Sequence, residues 1–224
     1  MFNLEPLITR NIRYSNLMNR LVKASPDEIY PTITVSRDSG SGGKAVAKEV
    51  AKQLNIKCFD DELIDMVAKK TNINKRLVKA LDEKTRSTVK VLIDSFLGLE
   101  SLPEQTFIKR FATVVLSIAA KQPAVILGRG MNFVLPPTTN FRIRITAPRR
   151  VLVKYAMKYE GHSAAKARKI IDKYMKLRHD FVYKYFNKDI HKPHYYDLVI
   201  NTEYLSIEDA VAVIIAGFKR KFGL

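Results

Sequence analysis

At 224 residues and 46% hydrophobic content, the chain can bury one sizeable α/β core, with room for an inserted subdomain. Its formal net charge of +17 makes the surface attractive to anions without saying which ones. The longest apolar runs, TVVLSIAA and AVAVIIAGF, fall short of the roughly 18 residues of a spanning helix, and MFNLEPLITR lacks the apolar centre of a signal peptide. A soluble, cytoplasmic protein with no membrane partner is therefore expected. The one cysteine, Cys58, has no intrachain partner, which fits a reducing compartment, and in IKCF it reads as a buried structural thiol.

In chain order, residues 1–30 carry a helix-like pattern with scattered basic residues and end in the turn-prone SPDE, which reads as a docked helical extension. Residues 31–224 then form the main domain. Short β-type runs occur at 32–36 (TITVS), 124–127 (AVIL), 141–146 (FRIRIT) and 197–200 (DLVI), with a weaker one at 57–59. Long helical patterns separate them, which predicts a parallel sheet with crossover helices. The span 61–121 holds no convincing strand, and apolar residues recur there at three and four, so it reads as a helical insertion. The span 149–188 is also helical, interrupted at EGHS, where Ser163 is placed to cap a second helix. The last helix opens at SIED, 206–209, with the spacing of a capping box.

Chemistry concentrates in SRDSGSGGKAVA, 36–47, between the first strand and the first helix. A phosphate loop works because glycine turns aim several backbone N–H groups, and the positive end of a helix, at one point. Here Ser39, Gly40, Ser41, Gly42, Gly43, Lys44 and Ala45 form the candidate nucleotide-binding loop, with Lys44 reaching the β and γ phosphates. Against G-x-x-x-x-G-K-[ST], Asp38 replaces the first glycine and Ala45 the hydroxyl that usually holds Mg²⁺. Ser39, Ser41 and Asp38 are the possible substitutes for that hydroxyl, and no dedicated metal site is expected.

The stretch ITVSRDSGSGGKAVAKEVAKQLNIKCFDDELI resembles the opening of the cytidylate kinase-like family, and the similarity recurs at LDEK (81–84), AVILGRGMNFVL (124–135), KLRHDF (176–181) and YYDLVINTEYLSIEDAV (195–211). The resemblance implies a P-loop fold of three layers, α/β/α: a five-stranded parallel sheet, a helical insertion that binds the nucleoside monophosphate (61–121), and a helical lid (149–188). It implies transfer of a phosphoryl group from ATP to (d)CMP with Mg²⁺. Cytidylate kinases carry Asp-Gly-Arg-Asp where this chain reads Leu127-Gly128-Arg129-Gly130, so both flanking carboxylates are missing and cytidine specificity is open.

Arg178 falls inside the apolar arc of the helix expected over 163–185, formed by Ile171, Tyr174, Phe181, Val182 and Tyr185, while Lys166, Lys169, Lys173 and Lys176 form a solvated stripe. Two readings are open: Arg178 meets the transferred phosphoryl group, the lid role the resemblance implies, or it pairs with Asp82 or Glu83. Arg129, at the carboxyl edge of the sheet, reads as an anion clamp for the acceptor. Asp60 and Glu62 are candidates to hold the acceptor or a clamp arginine, with helix capping the other use of Asp60. Arg37 either touches phosphate or braces Asp38, and Arg110 either reaches the acceptor phosphate or is an exposed helix arginine. HKPH, 191–194, is unpromising as a metal site, because its proline breaks the helical face. The rival functions are a same-fold kinase for another small acceptor and a non-catalytic protein binding nucleotides or nucleic acid, which fits the lost metal ligands and the charge, though nucleic acid is not the favoured partner. The latter predicts affinity that falls steeply with salt.

Overall fold

The computed structural model describes residues 29–60, 76–97 and 103–224. Residues 1–28 of the extension predicted over 1–30, and the candidate Glu62, lie outside them. The chain divides into two units, one of residues 31–61, 124–133 and 140–224, the other of residues 1–30, 62–123 and 134–139.

The first unit is built on a five-stranded, all-parallel sheet in the order β2-β3-β1-β4-β5. Its strands are β1 (Thr32–Arg37), β2 (Lys57–Phe59), β3 (Ala124–Leu127), β4 (Asn140–Thr146) and β5 (Leu198–Asn201). Central parallel strands are covered on both faces, and β3 accordingly reads AVIL with every residue buried. On one face Ile33, Val35, Val125, Leu127, Ile143 and Ile145 meet Val46 and Val50 of helix α1 (Gly43–Gln53) and Val211, Ile214 and Phe218 of helix α6 (Ile207–Phe222). Ser206 caps α6 by accepting from the Asp209 amide, and Asp209 answers from its carboxylate, so the predicted capping box forms.

Helices α4 (Arg149–Glu160) and α5 (Ala164–Phe186) follow β4 and pack through Leu152, Ala156, Ala167 and Ile171. Gly161, at φ 66°, ends α4, and the Ser163 hydroxyl accepts from the Lys166 amide to start α5. In the second unit, α2 (Glu83–Leu97) and α3 (Pro103–Ala119) lie against each other. The described part of 76–119 is thus helical, and Asp82 caps α2 by accepting from the Thr85 amide at 2.9 Å.

The order places β3 and β1 side by side, and their crossovers, β1 to β2 and β3 to β4, leave in opposite directions. That reversal puts the ligand crevice of an open α/β sheet at the carboxyl ends of β1 and its neighbours.

Candidate functional site

Strand β1 runs into the loop at Asp38, and the loop enters α1 through Gly42, whose φ is 75°. No side chain caps α1 and no acidic residue lies in its first turn, so neither offsets its positive end. Gly40 has φ +83°, and a Cβ there would stand 2.7 Å from the Leu152 carbonyl oxygen of α4, so no larger residue fits. Ser41 is fully buried. Its hydroxyl donates to the Asp38 carbonyl at 3.0 Å, and its own carbonyl accepts from Thr202 Oγ1 at 3.0 Å.

Both carboxylate oxygens of Asp38, one of the candidate substitutes for the missing hydroxyl, are engaged within the protein. Arg144 Nη2 meets one carboxylate oxygen at 2.6 Å and Thr146 Oγ1 donates to the other at 2.5 Å, with Asp38 7% and Arg144 4% exposed. Both oxygens hold the loop to β4, and the Ser41 hydroxyl is likewise committed within the loop. Of the three substitutes only Ser39 stays half-buried without such a bond in the loop. The brace of Asp38 is Arg144 rather than Arg37, which instead lines the cavity described below.

Lys44 Nζ stands 3.2 Å from Asp60 Oδ2, beyond the end of β2. Asp60 therefore faces the loop lysine. The Lys44 side chain is 47% exposed, and an ion pair so open to water contributes only about 0–1 kcal/mol, which an arriving polyphosphate readily displaces. Cys58, beside it, is half-buried; burial and then the Asp60 charge push its thiol up, against the opposing pull of Lys48 and Lys44, so it is a poor nucleophile.

A cavity opens where β1 and β3 end against α5. Arg37, Arg129 and Arg178 all line it. Arg129 sits between Gly128 and Gly130 in three successive left-handed conformations, φ 86°, 56° and 67°. A non-glycine residue there costs about 1–2 kcal/mol, and such strain gathers at functional sites. The Gly128 amide ties this reversal to the Val35 carbonyl at 3.0 Å, and the Arg129 guanidinium lies 5.2 Å from the centre of the Phe181 ring. Arg178 heads the stripe Arg178, Val182, Phe186 at helical spacing, with its Nη1 3.5 Å from the Arg37 carbonyl. A Cβ at Gly130 would stand 2.8 Å from the Phe186 ring, so the space for a carboxylate beside Arg129 is filled by an aromatic side chain.

Other expectations part from the structure. Tyr174 is 47% exposed instead of lying in the apolar arc, because the buried stripe of α5 passes from Ala167 and Ile171 to Val182 and Phe186, and the Tyr174 ring lies 5.9 Å from the Arg178 guanidinium. The stripe of Lys166, Lys169, Lys173 and Lys176 is exposed, and so is Arg110 on α3 in the other unit. In FVYKYF, Phe181 packs on Tyr185 at 4.8 Å while Tyr183 is exposed. His191 stacks on His179 at 5.9 Å, whereas His194 meets Tyr195. Among the described residues no group of three or more His, Cys, Asp and Glu could hold a metal ion, and no helix is long and apolar enough to cross a membrane.

Arg144 and Thr146 lie in no motif that marks their role in the sequence, and Phe181 reads there only as part of an apolar helix face. FRIRIT reads as a half-exposed strand, yet central parallel strands have no wet face. Arginine in such a strand is the signal of a buried carboxylate partner.

A model of the cytidylate kinase-like family matches residues 32–204. Among solved structures, the chain is similar to an uncharacterized protein from Eubacterium ventriosum ATCC 27560, at 25% identity and a TM-score of 0.68, over 87% of this chain and 99% of that one. Looser likenesses are to a gluconokinase from Sinorhizobium meliloti 1021 (14% identity, 86% and 94% covered, TM-score 0.43) and a dephospho-CoA kinase from Campylobacter jejuni (15%, 86% and 97%, TM-score 0.39). No curated protein sequence matches significantly. With a parallel five-stranded sheet, a glycine loop leading into α1 and a family match over most of its length, the chain belongs to the cytidylate kinase-like family.

Proposed function

We propose that this protein transfers the γ-phosphoryl group of ATP, with Mg²⁺, to a nucleoside monophosphate, with (d)CMP the first acceptor to test. The observation that carries this reading is the cavity lined by Arg37, Arg129 and Arg178 at the end of β1, the strand that leads into the glycine loop bearing Lys44. Cationic walls at that point suit a phosphate-bearing acceptor facing a polyphosphate donor. The donor fits the loop because α1 begins with neither a side-chain cap nor an acidic first turn. Lys44 would turn from Asp60 toward the β and γ phosphates, and Asp60 would hold Mg²⁺ or its water. Bound Mg²⁺ supplies charge neutralisation between the phosphates. Arg129 grips the acceptor phosphate, and Arg178 stabilises charge spreading over the transferred oxygens. Such catalysis is positioning and electrostatics, so it needs no strong general base.

A second reading, transfer to another small phosphate-bearing acceptor, draws on the Phe186 ring that fills the space beside Gly130. ADP release measured across CMP, dCMP, UMP, AMP and GMP separates the two. The expected result is Mg²⁺-dependent turnover with at least one pyrimidine monophosphate, falling about 10²–10³-fold in Lys44→Ala. Equal turnover in that variant removes the loop from the mechanism, and no turnover with any of the five removes monophosphate transfer.

A further inference from the structure

Asn132 lies in the 3₁₀ turn after the Gly128–Gly130 reversal and lines the same cavity as Arg129 and Arg178. The residue is 7% exposed, and its amide nitrogen is enclosed with no hydrogen-bond partner among the described residues. Native folds keep few buried polar groups unpaired, because each forfeits its bonds to water. The turn itself does not use this side chain. It closes through the backbone, Met131 N to Gly128 O at 3.3 Å and Phe133 N to Gly130 O at 2.9 Å.

The other neutral polar side chains of the cavity wall are already engaged. Thr34 Oγ1 donates to Asn140 Oδ1 at 2.9 Å, and Ser36 Oγ accepts from Arg144 Nη1 at 3.1 Å. The rest of the wall presents cationic groups, an apolar surface from Phe181, Val182 and Ile190, and the Asn132 amide. The arginines would take any phosphate. Among the described residues of this wall, Asn132 is the neutral side chain with an unbonded polar atom, and so the one placed to discriminate between phosphate-bearing molecules.

We propose that Asn132 is a specificity-determining residue, whose amide hydrogen-bonds the uncharged edge of the acceptor held by Arg129. This rests on the acceptor reading of that cavity. An amide carries a donor and an acceptor that change places when its end turns over, so it serves a keto edge and an amino edge alike. The wild-type protein is thus expected to take CMP and UMP with KM values within about tenfold of each other, since one neutral hydrogen bond is worth no more than that.

Two substitutions in the full chain test this. Asn132→Leu removes the enclosed amide at similar volume. It is expected to keep or raise the melting temperature, to raise KM for CMP and UMP about tenfold, and to leave KM for ATP unchanged. Asn132→Asp keeps the shape but only accepts, so it should favour the amino edge of cytosine and shift the CMP-to-UMP preference at least tenfold toward CMP, a change that a merely structural residue would not produce. Unaltered monophosphate KM in Asn132→Leu together with an unaltered CMP-to-UMP ratio in Asn132→Asp overturns the proposal and leaves monophosphate transfer standing. If none of the five monophosphates is turned over, that reading fails by itself. Calorimetric titration with CMP and UMP then decides on Asn132: weaker binding in both variants supports it, and no binding, or equal binding, overturns it.

Discussion

Arg178 occupies a helical position where an arginine is hard to explain by packing alone. It heads a stripe continued by the buried Val182 and Phe186, and it reaches the Arg37 carbonyl at the base of the phosphate loop. If it stabilises the transferred group, Arg178→Ala lowers kcat about 10³-fold with a much smaller change in the acceptor KM. Arg178→Lys recovers little, because an ammonium cannot reproduce the planar fork of donors. Steady-state kinetics on both variants checks this, and a variant that changes KM alone would instead make Arg178 a binding residue. The candidacy of Arg178 was legible from spacing within one helix. That of Asn132 was not, since a lone asparagine in GRGMNF carries no signal until its enclosure and its idle amide are seen.

At the scale of elements, the phosphate loop depends on β4 as much as on β1. Parallel register sets Ser36 opposite Arg144, and Asp38, two residues further on, lies over the same face of the sheet. Arg144 can therefore bridge Ser36 at 3.1 Å and Asp38 at 2.6 Å. Arg144→Met leaves the Asp38 carboxylate buried and without its cation. Losing one partner of a buried pair costs about 3–5 kcal/mol, which in a chain of this size lowers the melting temperature by on the order of 10 °C. Thermal denaturation of the variant checks the magnitude, and a loss of only a degree or two would mean that Thr146 and water suffice to hold Asp38. Helix boundaries needed no such long-range knowledge. Ser163 and Ser206 cap α5 and α6 as their sequences predict, because a cap bonds an amide only three residues away.

For the molecule as a whole, the net charge of +17 acts on both proposed substrates, which are anions. The Debye length shrinks from about 10 Å at 0.1 M salt to about 3 Å at 1 M, so long-range attraction fades while contacts inside the cavity persist. The expected outcome in a salt titration is a several-fold fall in kcat/KM for ATP and acceptor with kcat nearly constant. A parallel fall in kcat would place the charge effect on the chemical step. From the sequence alone came the order of strands and helices, the glycine loop with Lys44, and the placing of Arg129 at a strand end, since each rests on neighbours within a few residues. Tertiary structure alone decided that Asp38 is held by Arg144, that Lys44 meets Asp60, that Phe186 occupies the space beside Gly130, and that Asn132 faces the arginines' cavity. The Asp38–Arg144 pair joins residues 106 positions apart, and only the register of parallel strands brings such residues together.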